Sequence, residues 1–403
     1  MDVFLARQPI FDTKKNAYAY EILYRNGYVN SFPGIEADEA SSKVIIDTFQ
    51  TFGITNLTNG KPAFINFSEN LIKNEIATLF PSASLVIEIL ETVNPDENII
   101  EKCKTLKSMG YTIALDDFVY KPEYEMIIEF ADIIKIDFVN SNKADIEKTI
   151  TRLRGRKIKL LAEKIETHED FEYTKKLGFT LFQGFFFSRP EILTTSRLSP
   201  LKINSLHLMS KVNQLEIDFN EISGIISRDL SLTYNLLRLV NSAAFGLRRE
   251  IGSVKQALVI LGEKEIRKWV TLIALNGMGQ DKPDEVLRLS LIRARFAELI
   301  SYKTSFKNRS ADLFLTGIFS LLDVILNKPL ADILDDINAP IDVKDALLNN
   351  SGVFGIIYKI LRFYEKGQWE ELRAHADLLN IDYREVIDDY ISALLWYNKL
   401  TQG

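Results

Sequence analysis

The chain has 403 residues, of which 46% are apolar and 26% charged, and its formal net charge at pH 7 is −6. These values are typical of soluble globular protein, exclude wholesale disorder and argue against nucleic-acid binding by bulk positive charge. The length favours two domains. The single cysteine, Cys103, excludes an internal disulfide, and neither a signal peptide nor a membrane-spanning apolar run occurs. We therefore expect a cytoplasmic protein that does not associate with membranes.

Residues 1–198 alternate short β-type runs with helical patterns. The predicted strands are Ala17–Leu23, Ala63–Asn66, Leu85–Leu90, Thr112–Leu115, Ile133–Ile136, Lys159–Ala162 and Phe179–Phe182. The predicted helices include Ala37–Thr51, Glu69–Phe80, Glu97–Met109, Lys143–Arg154 and His168–Lys176. Repeated strand–helix units predict a parallel sheet with crossover helices. Seven or more units in about two hundred residues favour a closed TIM-like α/β barrel over an open sheet.

Polar side chains recur at the carboxyl ends of these strands, where α/β barrels place their chemistry. Asp116 and Asp117 follow one apolar run directly, and Lys135 and Asp137 interrupt the next. Charge in a buried strand is costly unless it is paired or used. The same pattern places further polar residues at Glu21, Asn66, Glu88, Glu163 and Gln183.

A ring of oxygen ligands is what hard divalent cations such as Mg²⁺ require, and two such ions can flank the oxygens of a phosphodiester during attack by water. Each of these acids, taken alone, fits a strand-end cap or an internal ion pair equally well. The set as a whole favours metal-assisted phosphodiester hydrolysis.

These residues resemble the EAL domain of bacterial cyclic-di-GMP phosphodiesterases, a TIM-like barrel that uses Mg²⁺ or Mn²⁺. The resemblance covers Ala6 to Pro190. The matching segments are Gln8-Pro9-Ile10, Glu21-Ile-Leu-Tyr-Arg25, Ile65-Asn-Phe-Ser68, Glu88-Ile-Leu-Glu91, the pair Asp116-Asp117, Lys135, Ala162-Glu-Lys-Ile-Glu-Thr167, and Gln183-Gly184 ahead of Ser188-Arg-Pro190.

The resemblance implies a role for each matching residue. Glu163 would be the catalytic general base, and Lys135 would help to position the attacking water. Gln8, Arg25 and Gln183 would bind the substrate, cyclic di-GMP, with Glu166 and Asp137 in support. The implied metal ligands are Glu21, Asn66, Glu88, Asp116 and Asp117. The implied product is the linear dinucleotide pGpG.

The segment after the acidic pair departs from the family pattern. Active EAL domains continue with a Gly/Ser-rich loop, whereas this chain reads Phe118-Val-Tyr-Lys-Pro-Glu-Tyr124. That segment lacks the glycines that permit unusual backbone angles, and Pro122 restricts it further. In addition, Lys164 and Thr180 stand where the family has a glycine and an aspartate. The ligand set therefore suits either an enzyme or a catalytically inactive cyclic-di-GMP sensor or scaffold.

Residues 199–403 show helical patterns only, which predicts an all-α bundle. The predicted helices are Leu201–Gln214, Phe219–Asp229, Ser231–Asn241, Ser253–Leu261, Glu263–Leu275, Asp284–Lys303, Ala311–Leu326, Leu330–Asn338, Val353–Lys366, Trp369–Leu379 and Tyr383–Lys399. The segments Ile225–Leu232, Leu236–Gly246 and Ser253–Gly262 resemble the HDOD domain, a helical module related to metal-dependent HD phosphohydrolases.

We expect no HD-type catalysis in this half. The histidines His168, His207 and His375 are scattered, and Ile318-Phe-Ser-Leu-Leu-Asp323 stands where an HD hydrolase would have His-Asp. The expected role of the helical half is regulation or output through an unidentified signalling protein. The sequence leaves open the oligomeric state, the direction of signalling, and a third alternative in which both halves are adaptors.

Overall fold

A computed structural model describes residues 3–26, 53–188, 200–214, 216–242, 251–279 and 282–401. The chain divides into two compact units. The first comprises Met1–Arg189, Tyr364–Trp369 and Asn398–Gly403, and the second comprises Pro190–Phe363 and Glu370–Tyr397. The predicted boundary between residues 198 and 199 and the predicted helix Ala37–Thr51 lie outside the described residues.

The first unit contains the predicted closed barrel of eight strands, hydrogen-bonded in the order β1 to β8. The strands are β1 (Val3–Asp12), β2 (Ala17–Asn26), β3 (Ala63–Phe67), β4 (Leu85–Ile89), β5 (Thr112–Leu115), β6 (Ile133–Asp137), β7 (Lys159–Glu163) and β8 (Leu181–Gln183). From β2 to β8 each strand is parallel to the next.

Strand β1 is antiparallel to both of its neighbours, β2 and β8. It joins β2 through a tight turn in which Asp12 Oδ1 accepts hydrogen bonds from the backbone N–H groups of Lys14 (2.8 Å) and Asn16 (2.9 Å). Such a short connection allows only an antiparallel pair, because parallel strands need a crossover of a dozen or more residues. Strand β1 was not among the strands predicted from the residue pattern, and it is the antiparallel member of an otherwise parallel barrel.

Six helices are described in the barrel's connections: α1 (Ile54–Thr58), α2 (Glu69–Lys73), α3 (Glu97–Ser108), α4 (Glu125–Ile128), α5 (Lys143–Leu153) and α6 (His168–Lys176). Four of them begin at an N-cap whose side chain accepts a backbone hydrogen bond; the caps are Ser68, Asp96, Asn142 and Thr167. The predicted helix Glu69–Phe80 ends at Lys73 and is followed by a separate 3₁₀ turn, Ile76–Leu79, because Glu75 has a left-handed backbone conformation.

One apolar residue from every strand contributes to a single buried cluster within the barrel. Its members are Ile10, Ala19, Phe64, Val86, Ala114, Ile133, Leu161 and Leu181. Side chains alternate between the two faces of a strand, so the residue two positions along each strand faces the same interior. This apolar layer is therefore the floor on which the next layer toward the carboxyl ends rests.

The second unit is largely helical, as predicted. The helices described from residue 200 onward are α7 (Pro200–Val212), α8 (Phe219–Ser227), α9 (Leu230–Val240), α10 (Val254–Met278), α11 (Asp284–Ser301), α12 (Ser310–Phe319), α13 (Leu322–Leu326), α14 (Leu330–Asp336), α15 (Ile341–Asn349), α16 (Gly352–Glu365), α17 (Trp369–Leu378) and α18 (Tyr383–Thr401). No helix of the described residues is long and apolar enough to cross a bilayer.

The break predicted at Gly262 is present, because Gly262 within α10 has a non-helical backbone with a φ of 73°. Two other details of this unit differ from the predictions. The predicted helix Ala311–Leu326 is divided into α12 and α13. Helix α15 was not predicted; it follows Pro340 and ends at Asn350, whose left-handed conformation terminates it.

Gly184 supplies the first testable consequence of the barrel's packing. It has a φ of +144°, and a Cβ atom there would lie 2.0 Å from the carbonyl oxygen of Ile165. Gly184→Ala should therefore lower the free energy of unfolding of the barrel by about 3 kcal/mol or more. Urea unfolding of the full chain, followed by circular dichroism, measures this change.

Gly178→Ala is the matched control. Gly178 also has a positive φ, +100°, but a Cβ atom there would meet nothing within 4 Å. This control should lower the free energy of unfolding only by the backbone strain of a residue with positive φ, about 1–2 kcal/mol. Equal losses in the two variants would show that contact with Ile165 does not restrict position 184.

Candidate functional site

A polar layer lies directly above the apolar floor of the barrel. On each strand, the residue two positions further toward the carboxyl ends of β2–β8 is polar, and β1 contributes the corresponding residue in the opposite chain direction. The eight residues are Gln8, Glu21, Asn66, Glu88, Asp116, Lys135, Glu163 and Gln183. The barrel thus brings together eight of the twelve residues singled out from the sequence.

Lys135 lies at the centre of this layer. Its ammonium group is 2.8 Å from Asp116 Oδ1, 2.7 Å from Glu163 Oε1 and 3.7 Å from Glu21 Oε2. It also forms an ion pair with Glu88 Oε1. The Lys135 side chain is 1% exposed and that of Glu88 is 0% exposed, so this pair is shielded from water.

Two amides close the layer on the side of β1 and β8. Gln183 Nε2 donates hydrogen bonds to Gln8 Oε1 at 3.0 Å and to Glu21 Oε2 at 2.5 Å. Gln8 and Glu21 are direct partners in the β1–β2 register. The hydrogen bonds from Gln183 therefore link Glu21 to the β1 and β8 side of the layer.

The charges of this cluster do not balance, since one ammonium group faces four carboxylates. Burial alone would lower the pKa of Lys135, but Glu21, Glu88, Glu163 and Asp116 together raise it well above its ordinary value. Burial raises the pKa of Glu163 to about 8; Lys135 opposes this shift, whereas Asp116 and Glu21 add to it. Burial also raises the pKa of Glu88 well above its ordinary value, again against Lys135. Without a further cation, part of the cluster holds protons at neutral pH.

The donor chemistry of the layer fits a hard divalent cation, because it consists of carboxylate and amide oxygens. Glu88 Oε2 and Gln183 Oε1 are buried and accept no hydrogen bond from any described residue. Among the described residues, however, no group of three His, Cys, Asp or Glu side chains is placed so that it could hold a metal ion. The reason is local: Lys135 occupies the point toward which the carboxylates are directed.

Asp137 lies at the rim, one layer above Lys135. Its Oδ1 atom accepts hydrogen bonds from the backbone N–H groups of Val139 and Asn140, both at 2.9 Å, and Asn140 Nδ2 donates to Oδ2 at 2.6 Å. Oδ2 also forms an ion pair with the ammonium group of Lys164. Burial would raise the pKa of Asp137, but the hydrogen bonds from Lys164 and Asn140 lower it. Lys164 is the partner that the sequence did not reveal.

The structure does not bring the remaining predicted residues into the cluster. Asp117 is exposed and has a φ of 40°, so the backbone turns away from the barrel directly after Asp116. Glu166 is exposed on the loop after β7. Arg25 lies on β2, but its side chain is outside the described part of the chain.

The departing segment after Asp117 forms the 3₁₀ turn Pro122–Tyr124 and the short helix α4. Its start is fixed by a 2.9 Å hydrogen bond from the backbone N–H of Phe118 to the carbonyl of Lys135. Between this segment and the end of β4 lies a cavity of about 320 Å³, lined by Ile89, Leu90, Glu91, Val93, Leu115, Asp116, Asp117, Phe118, Val119, Lys121, Tyr124 and Ile127. The replaced loop therefore leaves a mostly apolar space beside the acidic pair.

In the helical unit, the segment Ile318–Asp323 follows Gly317 on α12. Gly317 on α12 packs against the backbone of Arg293 and Ala294 on α11. Arg293 Nη1 donates a 3.0 Å hydrogen bond to Ser320 Oγ. Burial raises the pKa of Asp323 against the attraction of Arg293 and Arg362. His207 is exposed, and His375 Nδ1 donates a 2.7 Å hydrogen bond to the carbonyl of Glu371.

Two family models match the chain. The model of the EAL domain matches residues 53–190, and the model of the HDOD domain matches residues 198–342. Together they cover the barrel from β3 onward and the helical region as far as the start of α15.

Two solved structures are similar to part of this chain. A standalone EAL protein from Vibrio cholerae O395, bound to c-di-GMP, is 25% identical with a TM-score of 0.36, covering 47% of this chain and 92% of that one. Klebsiella pneumoniae BlrP1, in complex with manganese and cyclic di-GMP, is 22% identical with a TM-score of 0.38, covering 47% of this chain and 56% of that one.

Two proteins are similar over nearly the whole chain. The cyclic di-GMP phosphodiesterase CdgJ of Vibrio cholerae is 34% identical over 399 residues, which is 98% of this chain and 92% of CdgJ. The uncharacterized protein YuxH of Bacillus subtilis is 35% identical over 409 residues, with 99% of both chains covered. The chain therefore belongs to the EAL–HDOD family of cyclic di-GMP phosphodiesterases.

Proposed function

We propose that the chain hydrolyses cyclic di-GMP to linear pGpG with Mg²⁺ or Mn²⁺, and that its HDOD half is a regulatory or output domain. The observation that carries this proposal is the polar layer, in which four carboxylates converge on Lys135 with an excess of negative charge. The similarity to CdgJ supports the substrate class. The division into domains 1–198 and 199–403 remains part of the proposal, as does a cytoplasmic location.

Glu21, Asn66, Glu88, Asp116 and Asp117 would hold the divalent cation. Carboxylate and amide oxygens suit it, and the buried Glu88 Oε2 has no described hydrogen-bond donor. When bound, a divalent cation polarises phosphoryl oxygens and neutralises charge that develops during attack. It would also relieve the excess negative charge that Lys135 alone leaves.

In hydrolysis, a water oxygen attacks one phosphorus atom of the cyclic diester, and the bond from that phosphorus to the ribose 3′ oxygen breaks. Glu163 takes the proton of the attacking water, and the leaving oxygen is protonated from solvent. Lys135, 2.7 Å from Glu163 Oε1, would keep that carboxylate oriented toward the water. One water molecule is consumed, and the product is the linear dinucleotide.

Substrate contacts would come from Gln8, Arg25 and Gln183. The Oε1 atom of Gln183 is buried and accepts no hydrogen bond from a described residue, so it is available to a donor on the ligand. Asp137 would support the site by fixing the turn after β6 through its hydrogen bonds to Val139 and Asn140. Glu166 would support it from the loop after β7.

A second function, binding without turnover, is favoured by the segment after Asp117. That residue is exposed rather than in the cluster, and the segment that follows carries Pro122 in place of glycines. Binding needs the ligands, whereas turnover also needs them within about half an ångström of the productive geometry. In this case the barrel would be a cyclic-di-GMP sensor or scaffold that signals to a partner through the helical half.

Glu163→Gln distinguishes the two functions. If the chain is an enzyme, this variant should lose about 10²–10⁴-fold in kcat, because the water loses its base, while its affinity for cyclic di-GMP changes less than about threefold. Turnover is measured with Mg²⁺ and with Mn²⁺, and affinity by calorimetry with Ca²⁺. Glu172→Gln on the exposed face of α6 is the control. Equal turnover by wild type and Glu163→Gln would show that Glu163 is not the general base. Tight binding of cyclic di-GMP without product in the wild type would establish the barrel as a sensor.

The pH dependence of turnover follows from the burial of Glu163, which raises its pKa to about 8. A general base acts only when deprotonated, so activity should rise with pH from about 6 to about 8. A bound cation lowers the pKa of nearby carboxylates, which places the midpoint at or below about 8. A pH–rate profile at saturating Mg²⁺ tests this, and a rate that falls over the same interval would contradict it.

Lys135→Met tests the charge imbalance directly. Removing the ammonium group leaves four carboxylates without their shared partner, so the free energy of unfolding at neutral pH should fall by about 3–5 kcal/mol. The loss should shrink at about pH 5, where more of the carboxylates are protonated. Saturating Mg²⁺ should stabilise this variant more than it stabilises the wild type, as measured by thermal unfolding.

Lys176→Met, which removes an exposed lysine from α6, is the matched control and should change stability by less than about 0.5 kcal/mol. If Lys135→Met were as stable as this control at neutral pH, Lys135 would not be needed to balance the negative charge of the four carboxylates.

A further inference from the structure

Lys164 has a backbone conformation that lysine rarely adopts. It follows Glu163 directly and has a φ of 57°, in the left-handed region that favours glycine. Its neighbours fix this conformation: Ile165 donates a 2.9 Å backbone hydrogen bond to the carbonyl of Gln183, and Phe186 donates one of 3.1 Å to the carbonyl of Ile165. Strain of this kind persists only where the surrounding structure enforces it, and it concentrates at functional sites.

The side chain of Lys164 reaches across the end of the neighbouring strand. Asp137 and Glu163 are partners in the β6–β7 register, and the ammonium group of Lys164 pairs with Asp137 Oδ2. Asp137 is itself held by backbone hydrogen bonds from Val139 and Asn140. Asp137 is therefore the buried, hydrogen-bonded member of the pair beside the mouth of the site, and Lys164 is the half-exposed member.

The two lysines of the site differ in what they can reach. Lys135 is 1% exposed and is enclosed by carboxylates, whereas the Lys164 side chain is 53% exposed. Around the mouth, Asp117 and Glu166 are exposed carboxylates. An incoming phosphodiester therefore meets negative charge at the mouth. The half-exposed ammonium group of Lys164 offsets this charge if it leaves the Asp137 carboxylate and pairs with a phosphate oxygen.

We propose that Lys164 is a substrate-binding residue whose ammonium group exchanges Asp137 for a non-bridging phosphate oxygen of the cyclic dinucleotide. This inference rests on the proposed recognition of cyclic di-GMP. It adds a ligand contact to those proposed for Gln8, Arg25 and Gln183. Because Lys164 touches the ligand in the ground state and in the transition state alike, it contributes to affinity rather than to the chemical step.

Three substitutions separate the charge of Lys164 from its backbone. Lys164→Met removes the charge and keeps a long side chain, Lys164→Gly removes the charge and suits the left-handed backbone, and Lys164→Arg keeps the charge. We expect the first two to raise both the KM in Mg²⁺ and the calorimetric Kd for cyclic di-GMP in Ca²⁺ by about tenfold. Their kcat should change by less than about threefold, and Lys164→Arg should restore KM to within about threefold. Lys176→Met is the control, and KM should depend less steeply on salt in Lys164→Met than in the wild type.

Each other outcome overturns the inference. An unchanged Kd in Lys164→Met, with binding intact in the wild type, would show that Lys164 does not contact the ligand. The proposed function would then still stand. A lower kcat at unchanged Kd would make Lys164 a positioning residue for Glu163. A defect in Lys164→Met that Lys164→Gly does not share would assign the effect to the backbone. Absence of cyclic-di-GMP binding in the wild type would overturn the proposed function and this inference together.

Discussion

The compensation of buried negative charge at Lys135 is the constraint on which the rest of the barrel site depends. Four carboxylates from different strands converge on one ammonium group in a layer shielded from water. Since desolvation of charge is expensive, such a layer is stable only if protons, a lysine or a metal ion balance it. A single lysine is insufficient, and this deficit contributes to the raised pKa of Glu163 and is the reason for proposing a divalent cation there.

Most of the site could be predicted from the sequence because the barrel repeats one local rule. In each strand an apolar residue that packs in the floor is followed, two positions nearer the carboxyl edge, by a polar one, as in Phe64 with Asn66 and Val86 with Glu88. Alternation of side chains then places all the polar residues in one layer. Strand identity and layer membership are thus local properties, and local properties are what a sequence pattern displays.

The features that the sequence did not reveal are two weak local signals and one contact between distant segments. Strand β1 is antiparallel because the turn at Asp12 is too short for a crossover. Helix α15 has only nine residues, and its start is set by Pro340 rather than by a capping side chain. The pair between Lys164 and Asp137 joins residues 27 positions apart, and it needs the β6–β7 register before the two side chains can meet.

Two strand ends in the site carry positive φ angles on residues that are not glycine: Asp117 after Asp116, and Lys164 after Glu163. In both, the backbone reverses directly after a carboxylate of the polar layer, so that carboxylate stays in the barrel while the next side chain is turned to the mouth. The strain of each reversal is supported by hydrogen bonds on the far side, from Phe118 to the carbonyl of Lys135 and from Ile165 to that of Gln183. A buried layer that holds charge and a strained rim that presents charge to the ligand are therefore two consequences of the same strand endings. The segment after Asp117 differs from the family pattern at the rim and leaves the layer intact, and this difference is why we propose binding without turnover as the second function.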